Sequence, residues 1–515
     1  MTNYRCFHIA AVLAAGLSFG IAIPGQAQSD AAGRCQALAQ TDFSGVTDAP
    51  TQVTSTSFLV ASNSDVASCL VEGYVTPTVG FKVHLPAQNW NGKFIKRGCG
   101  AYCGTTGGTA EGVWWDCTNH VNDGYACVVS DMGHRSTIGD AKWAYNNLQL
   151  KIDFAYRATH VATVAGKAIT EAFYGNAPQR SYFMGCSTGG RQGMVEAQRF
   201  PWDFDGIIAG APAINETGAG MRLVWTTAGN LDENRQQILT ADKVLLLYNA
   251  ALSKCDAYDG TEDGIIDDPR SCNFDPGVLR CAAGNSNDCL TEGQVAVARN
   301  IYSGPHTPDG KPLYTGGAMP GSELDWVGNY ISMNGEPGRY YFMIGDMFRY
   351  MGFLPDPGPS WRPEDFDFGE DYKRLGMMEG LYSGSNPDLR KFRDAGGKLL
   401  VYHGWADSSA IPLNTIDYYE LATKTMGGAE ATKEFFRLFM IPGMSHCSGG
   451  LGAYAIDYLS HMEDWVEAGK TPDMMMGYHP KEQTDRFGTD FPLDPDMIEF
   501  SRSVYPYSAP ISKGD

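Results

Sequence analysis

The sequence predicts an α/β protein: a doubly wound, mostly parallel sheet flanked by helices and interrupted by one large insertion. Three observations predict it. Hydrophobic runs of buried-strand type alternate with amphipathic helical stretches. One such run leads into a glycine-flanked serine and then a helix. The segment from about Glu216 to Asp394 breaks the alternation and is rich in Gly, Pro, Asp and aromatics. At 515 residues, with 43% hydrophobic and 12% aromatic content, the chain can bury a large core and is long for one ordinary domain. The expected organisation is a sheet domain made of residues 28–215 and 395–515, with residues 216–394 as an inserted lid domain.

The elements follow in chain order. Arg5, an apolar small-residue stretch from Ile9 to Pro24, and Gly25-Gln26-Ala27 read as a cleaved secretory signal ending at Ala27. The apolar run is shorter than the roughly 20 residues of a spanning helix, which argues against a membrane anchor. The localisation expected is therefore secreted or periplasmic. Of 13 cysteines Cys6 lies in that leader, so 13 − 1 leaves an even twelve, as disulfide pairing in an oxidising compartment requires. Short loops suggest Cys255 with Cys272 and Cys281 with Cys289, and Cys35 is within reach of Cys69. Cys99, Cys103, Cys117 and Cys127 form a tight group whose pairing stays open, and their spacings match no common zinc pattern. A net charge of −20 and a pI near 4.9 argue against nucleic acid or an anionic membrane as partner.

Lys93 to Lys96, Tyr125 to Ser130 and Ser181 to Met184 read as strands, with Ile152 to Phe173 as a crossover helix stopping at Tyr174-Gly175. Lys398 to Tyr402 and Phe435 to Ile441 resume the strand pattern. Arg180 to Met184, then Gly185-Cys186-Ser187-Thr188-Gly189, then a helix from Gly190 is the strand, G-x-S-x-G, helix context of a nucleophile elbow. Small flanking residues are needed because the serine sits on a sharp turn that lifts its Oγ above the sheet.

A serine hydroxyl needs a base and an orienting acid to become nucleophilic at neutral pH. In an α/β-hydrolase core they follow in the order acid, then histidine, each after a strand. Asp407 ends the loop His403-Gly404-Trp405-Ala406-Asp407 after one late strand, and His446 ends Pro442-Gly443-Met444-Ser445-His446 after the next. His403 and His134 are rivals better read as hydrogen-bonded structural residues, since neither has the strand order of a triad base. The oxyanion donors expected are the N–H of Thr188 and that of Gly100 or Ala101, in the glycine-rich turn Arg97 to Gly104. Cysteines flank both key residues, as Cys186-Ser187 and His446-Cys447. Separately, Cys255 to Ile265 packs acidic oxygen donors with glycines, which suits a hard cation or a solvated acidic turn.

The segment Tyr182 to Ala213, YFMGCSTGGRQGMVEAQRFPWDFDGIIAGAPA, together with Gly404-Trp405-Ala406-Asp407 and Pro442 to Cys447, resembles the tannase and feruloyl esterase family. The likeness extends over nearly the whole chain after the leader. It implies an α/β-hydrolase with a large lid, a Ser187-Asp407-His446 triad, and a disulfide joining Cys186 to Cys447. It implies structural Ca2+ held by side chains of Asp256, Asp259 and Asp263 and by the backbone carbonyls of Thr261 and Ile265. It also implies a small-molecule substrate, an ester of an aromatic or phenolic acid such as a gallate or ferulate, with no nucleic-acid or membrane partner. The turn after the early strand departs from the family pattern in holding Cys99 and Cys103. Aromatics of the insertion, namely Trp326, Tyr340, Tyr341, Phe342, Phe348, Tyr350, Phe353 and Trp361, are candidates to sandwich an aromatic acyl group, although most are expected to be core. Alternatives are a terephthalate or phthalate monoester, for which Arg339 or Arg349 would supply a cation, and a general lipase or peptidase.

Overall fold

The computed structural model describes residues 1, 24–107, 115–282, 287–482 and 491–508. The expected leader, residues 1–27, falls for the most part outside them. A helix α1 (Pro24–Leu38) packs on the edge of a nine-stranded sheet, where Cys35 bonds Cys69. The sheet is built from β1 (Thr51–Leu59), β2 (Ser68–Val75), β3 (Val79–Pro86), β4 (Lys93–Arg97), β5 (Ala126–Ser130), β6 (Arg180–Cys186), β7 (Gly206–Gly210), β8 (Lys398–Gly404) and β9 (Phe436–Ile441), in the order β1-β2-β3-β5-β4-β6-β7-β8-β9. The first three strands and β5 pair antiparallel; from β5 through β4, β6, β7 and β8 to β9 every pairing is parallel.

The parallel half is covered on both faces, and β5 and β7 are buried along their whole length. The antiparallel β1–β3 edge was not among the expected elements, because its half-exposed strands carry mixed polar residues such as those of Thr51–Leu59. On the faces lie α2 (Ala158–Tyr174), which ends on the left-handed Gly175 at φ 77°, and α3 (Thr188–Arg199). The expected single helix Ile152 to Phe173 differs in one respect. Helix begins already at Leu148, capped by Asn147, and a π turn at Asp153–Arg157 precedes α2.

Between β7 and β8 the chain leaves the sheet for residues 211–397. This excursion carries α4 (Glu216–Ala228), α5 (Ala241–Cys255), α6 (Glu292–Ser303) and α7 (Arg339–Tyr350), before α8 (Pro412–Thr425) and α9 (Tyr458–Ala468) complete the sheet domain. Trp326, Tyr330 and Tyr382 are buried within it. A separate ribbon pairs β10 (Met475–Pro480) with β11 (Ile498–Val504). Among the described residues no helix is long and apolar enough to cross a membrane.

Candidate active site

The loops that matter all leave the carboxyl ends of parallel strands, where open α/β sheets form their binding crevices. Ser187 follows β6 directly and adopts φ 63° and ψ −122°, a conformation that costs on the order of 1–3 kcal/mol for a residue with a Cβ. Neighbours hold it there: Ser187 N–H donates to Gly210 O on β7 at 3.0 Å, and Ala213 N–H donates to Ser187 O at 3.3 Å. The helix that follows can start at once only because Gly189 and Gly190 lack side chains. A Cβ on Gly189 would sit 2.9 Å from Cys99 O, and one on Gly190 would sit 2.2 Å from Gly210 O.

The turn after β4 is pinned onto this elbow at two points and stapled within itself. Thr188 Oγ1 donates to Ala101 O at 2.7 Å. Gln192, buried on α3, accepts from Cys99 N–H at 3.3 Å through Oε1, and its Nε2 lies 3.1 Å from Cys99 Sγ. A disulfide between Cys99 and Cys103 closes the turn, and Ala101 takes a left-handed φ of 48°. Cys99 N–H is thus committed, whereas the N–H groups of Gly100, Ala101 and Thr188 donate no hydrogen bond among the described residues. Gly100, Ala101, Thr188, Ser187 and His446 line one cavity of about 560 Å³.

His446 Nδ1 lies 2.7 Å from Asp407 Oδ2, which makes Nδ1 the donor and leaves Nε2 for the cavity side. Asp407, fully buried, also accepts on Oδ1 from the N–H groups of Ser409 (2.7 Å) and Ala410 (3.0 Å). His403 completes its shell: Nε2 is 3.0 Å from Asp407 Oδ2 and 2.8 Å from Ala410 O, both acceptors, so Nε2 carries the hydrogen and Nδ1 accepts from Thr415 Oγ1 at 2.9 Å. Burial pushes the Asp407 carboxyl up, but the charge of His446 and hydrogen bonds from His403 and His446 outweigh it and hold it well below the usual carboxylate range. Burial likewise pushes His446 down, and the Asp407 carboxylate outweighs that, leaving the imidazole above its ordinary value. Among the described residues no hydrogen bond joins Ser187 Oγ to His446; catalytic contacts of this kind commonly tighten only when substrate is bound.

Cys186 and Cys447 are joined, tying the residue before Ser187 to the residue after His446 across 261 positions of sequence. The tight cysteine group resolves as Cys99–Cys103 and Cys117–Cys127, and Cys255–Cys272 and Cys281–Cys289 are also bonded. One neighbour of the site escaped the sequence reading. Asp325, from the excursion, accepts at Oδ2 from Ser408 Oγ (2.5 Å) and Ser408 N–H (3.2 Å), and burial pushes its carboxyl up to about 6. No local pattern marks it, because its partner stands 83 positions away. Of the aromatics expected to sandwich substrate, only Tyr340 and Phe342 line the cavity. Trp326, Tyr341, Phe348, Tyr350, Phe353 and Trp361 are packed inside the excursion.

In the acidic loop, Asp256 Oδ1 is buried with no donor, while Oδ2 accepts from Gly264 N–H at 3.2 Å. Asp259 Oδ1 accepts from Thr261 N–H (2.9 Å) and Asp263 Oδ1 from Ile265 N–H (3.1 Å). Each carboxylate keeps one oxygen clear of these turns, although Asp263 Oδ2 lies 3.8 Å from Arg502 Nη1, and Cys255–Cys272 closes the loop, so the residue types suit an oxygen-ligated divalent cation. The three carboxylates do not gather within 4.8 Å of one another; among the described residues only His160, Glu196 and Asp203 do so. That trio lines no part of the cavity, and burial together with the neighbouring Asp203 pushes the Glu196 carboxyl well up, against the smaller pull of Lys96 and Lys167.

The family model described as "Tannase and feruloyl esterase" matches residues 64–342 and 363–498. This chain belongs to the tannase and feruloyl esterase family. It is 33% identical over 465 residues to the mono(2-hydroxyethyl) terephthalate hydrolase of Piscinibacter sakaiensis, covering 79% of this chain and 76% of that protein. It is 34% identical over 435 residues to a probable feruloyl esterase B-2 of Aspergillus flavus, covering 79% of each. The crystal structure of feruloyl esterase B from Aspergillus oryzae superposes with a TM-score of 0.78 at 28% identity, over 92% of this chain and 96% of that one. As a member of that family the chain is a carboxylic ester hydrolase with an α/β-hydrolase sheet.

Proposed function

We propose that this esterase cleaves esters of aromatic or phenolic acids through a Ser187–His446–Asp407 triad and an acyl-enzyme. The observation that carries the reading is the Asp407-bound His446, whose free Nε2 side shares a cavity with the strained Ser187. His446 Nε2 takes the Ser187 proton as Oγ attacks the ester carbonyl, and Asp407 stabilises the imidazolium. The tetrahedral oxyanion lies against the N–H of Thr188 and that of Gly100 or Ala101, which are the unspent donors of the two facing turns. His446 then returns the proton to the departing alcohol. Water, deprotonated by the same nitrogen, releases the acid and restores Ser187.

Aromatic acyl groups suit a cavity walled by Trp115, Ile138, Leu223, Tyr340, Phe342, Met343 and Ile344. A panel of methyl gallate, methyl ferulate, a terephthalate monoester and p-nitrophenyl butyrate tests the substrate class: the aromatic-acid esters should lead in kcat/KM, and equal or greater preference for the aliphatic ester overturns it. Arg339 favours the terephthalate reading as the second choice. It lines the cavity, donates through Nε to Asn329 Oδ1 at 2.8 Å, lies over the Tyr340 ring and pairs with no carboxylate among the described residues, whereas Arg349 is neutralised by Asp346 at 2.9 Å.

The same reading places the protein outside the cytoplasm with residues 1–27 as a cleaved leader, supported by six disulfides that a reducing cytosol would not maintain. It also assigns Ca2+ to Asp256, Asp259 and Asp263 with the carbonyls of Thr261 and Ile265. The ion would cross-link the loop and take no part in the chemistry. Metal present at 100 times its Kd stabilises by about 2.7 kcal/mol, so stripping it with a chelator should lower Tm by several degrees and leave the initial kcat unchanged. An unmoved melting curve in protein shown to be metal-free removes the assignment.

A further inference from the structure

We propose that Glu216 reads the substituent at the far end of the acyl group, accepting a hydrogen bond from a phenolic hydroxyl and disfavouring an anion there. The inference rests on the triad reading above and adds the chemistry of the ring substituent. Three observations carry it.

The first is direction. Asn215 caps α4 by accepting from Gly218 N–H at 2.8 Å, which sets Glu216 at the first helical position. Ala219, Gly220 and Leu223 stand three, four and seven residues on, share its helical face, and line the cavity with it. The second is reach. Ala213 N–H is bonded to Ser187 O, so Glu216 starts only three residues from the elbow, a span of at most about 10 Å. This is the range in which the ring end of an acyl group on Ser187 falls.

The third is unspent capacity. Glu216 is 7% exposed, yet neither carboxylate oxygen accepts a hydrogen bond among the described residues; Oε2 is fully buried and lies 3.5 Å from Arg191 Nε. Arg191 spends its other nitrogens on the backbone oxygens of Ala155, Tyr382 and Phe154. Oε2, held against Arg191, is closed to the cavity, which leaves Oε1 as the oxygen able to accept from a neutral hydroxyl of the substrate without adding charge. Burial pushes the Glu216 carboxyl up, Arg191 pulls it down, and nearby Glu379 adds to the rise, for a net position above its ordinary value. A second anion brought alongside meets that same repulsion in a low-dielectric wall. The cations of the cavity, Arg339 and Arg349, stand instead on α7.

The test compares methyl 4-hydroxy-3-methoxycinnamate, methyl 3-methoxycinnamate and the monomethyl ester of terephthalate, in wild type and Glu216→Gln. Each rate is normalised to that enzyme's own p-nitrophenyl acetate turnover. The smaller 3-methoxy ester lacks the hydroxyl and adds no bulk, so the wild-type ratio of the two cinnamates isolates the hydrogen bond. A charge-assisted bond predicts about a 10-fold or greater wild-type preference for the hydroxylated ester. In Glu216→Gln that preference should shrink several-fold, and the terephthalate monoester should gain relative to both cinnamates. A purely structural role for Glu216 would not produce that exchange of preference. Unchanged ratios in the variant overturn the proposal. If the variant does not fold because Arg191 loses its partner, the wild-type ratio decides alone, and a value near one overturns it. Wild type that turns over p-nitrophenyl acetate but neither cinnamate overturns the aromatic-ester reading instead.

Discussion

Ser187→Ala should lower kcat on aromatic esters by on the order of 10⁶-fold, about 8 kcal/mol of transition-state stabilisation, while leaving Tm unchanged. The two halves of that expectation have separate grounds. In the proposed mechanism the Ser187 hydroxyl forms the bond to the acyl carbon, and no other residue is assigned that step. Its removal breaks no hydrogen bond among the described residues, and the strained turn is held by backbone bonds to Gly210 and Ala213. The residual rate should reflect the oxyanion donors and binding alone, some 10³- to 10⁴-fold over water. Adding His446→Ala should cost little more, since serine and base act as one unit. Steady-state kinetics with calorimetry on the single and double variants checks this, and full activity of Ser187→Ala would falsify the mechanism.

Replacing Cys186 and Cys447 together by alanine should produce the largest loss of stability among the disulfide deletions. The bridge closes a loop of 261 positions, and chain entropy assigns it about 5.6 kcal/mol, roughly twice the value for the 8-position Cys281–Cys289 loop. Activity should fall as well. Cys447 sits at φ 70°, and Cys186 and Cys447 are 8% and 5% exposed, so the bridge is an interior strut between nucleophile and base and not a surface staple. The loss is expected in kcat more than in KM, because the strut holds Ser187 beside His446, while most of the cavity wall comes from other residues. Denaturant titration and steady-state kinetics report the two effects; a double variant with wild-type midpoint and kcat reduces the bridge to a spectator.

The elements legible from sequence share one property: their signals are local. Strand, Gly185-Cys186-Ser187-Thr188-Gly189 and helix succeed one another within about fifteen residues, and glycine at 175 marks the end of α2 by its own backbone freedom. The bridges Cys255–Cys272 and Cys281–Cys289 span 17 and 8 positions and follow from short-loop closure. What the reading missed or left open involves groups brought together by packing. Nothing near Asp325 announces Ser408, and nothing near Gln192 announces the turn at Cys99. The aromatics of the excursion look alike in sequence, yet only Tyr340 and Phe342 turn toward the cavity while Phe348 and Trp361 pack inward.

The chain's own sequence therefore determined the α/β class, the strand–turn–helix at Ser187 and the late strands that lead into the loops of Asp407 and His446, because periodicity, turn chemistry and strand endings are written in adjacent residues. Only the tertiary structure decided that His403 completes the shell of Asp407, that Cys99 pairs with Cys103, and that Glu216 lines the cavity beside Arg191. Those contacts choose one partner among several equivalent neighbours, or bring together side chains from separate helices. They are set by how nine strands and the excursion between β7 and β8 fill one another's space, a condition that no short stretch of sequence carries.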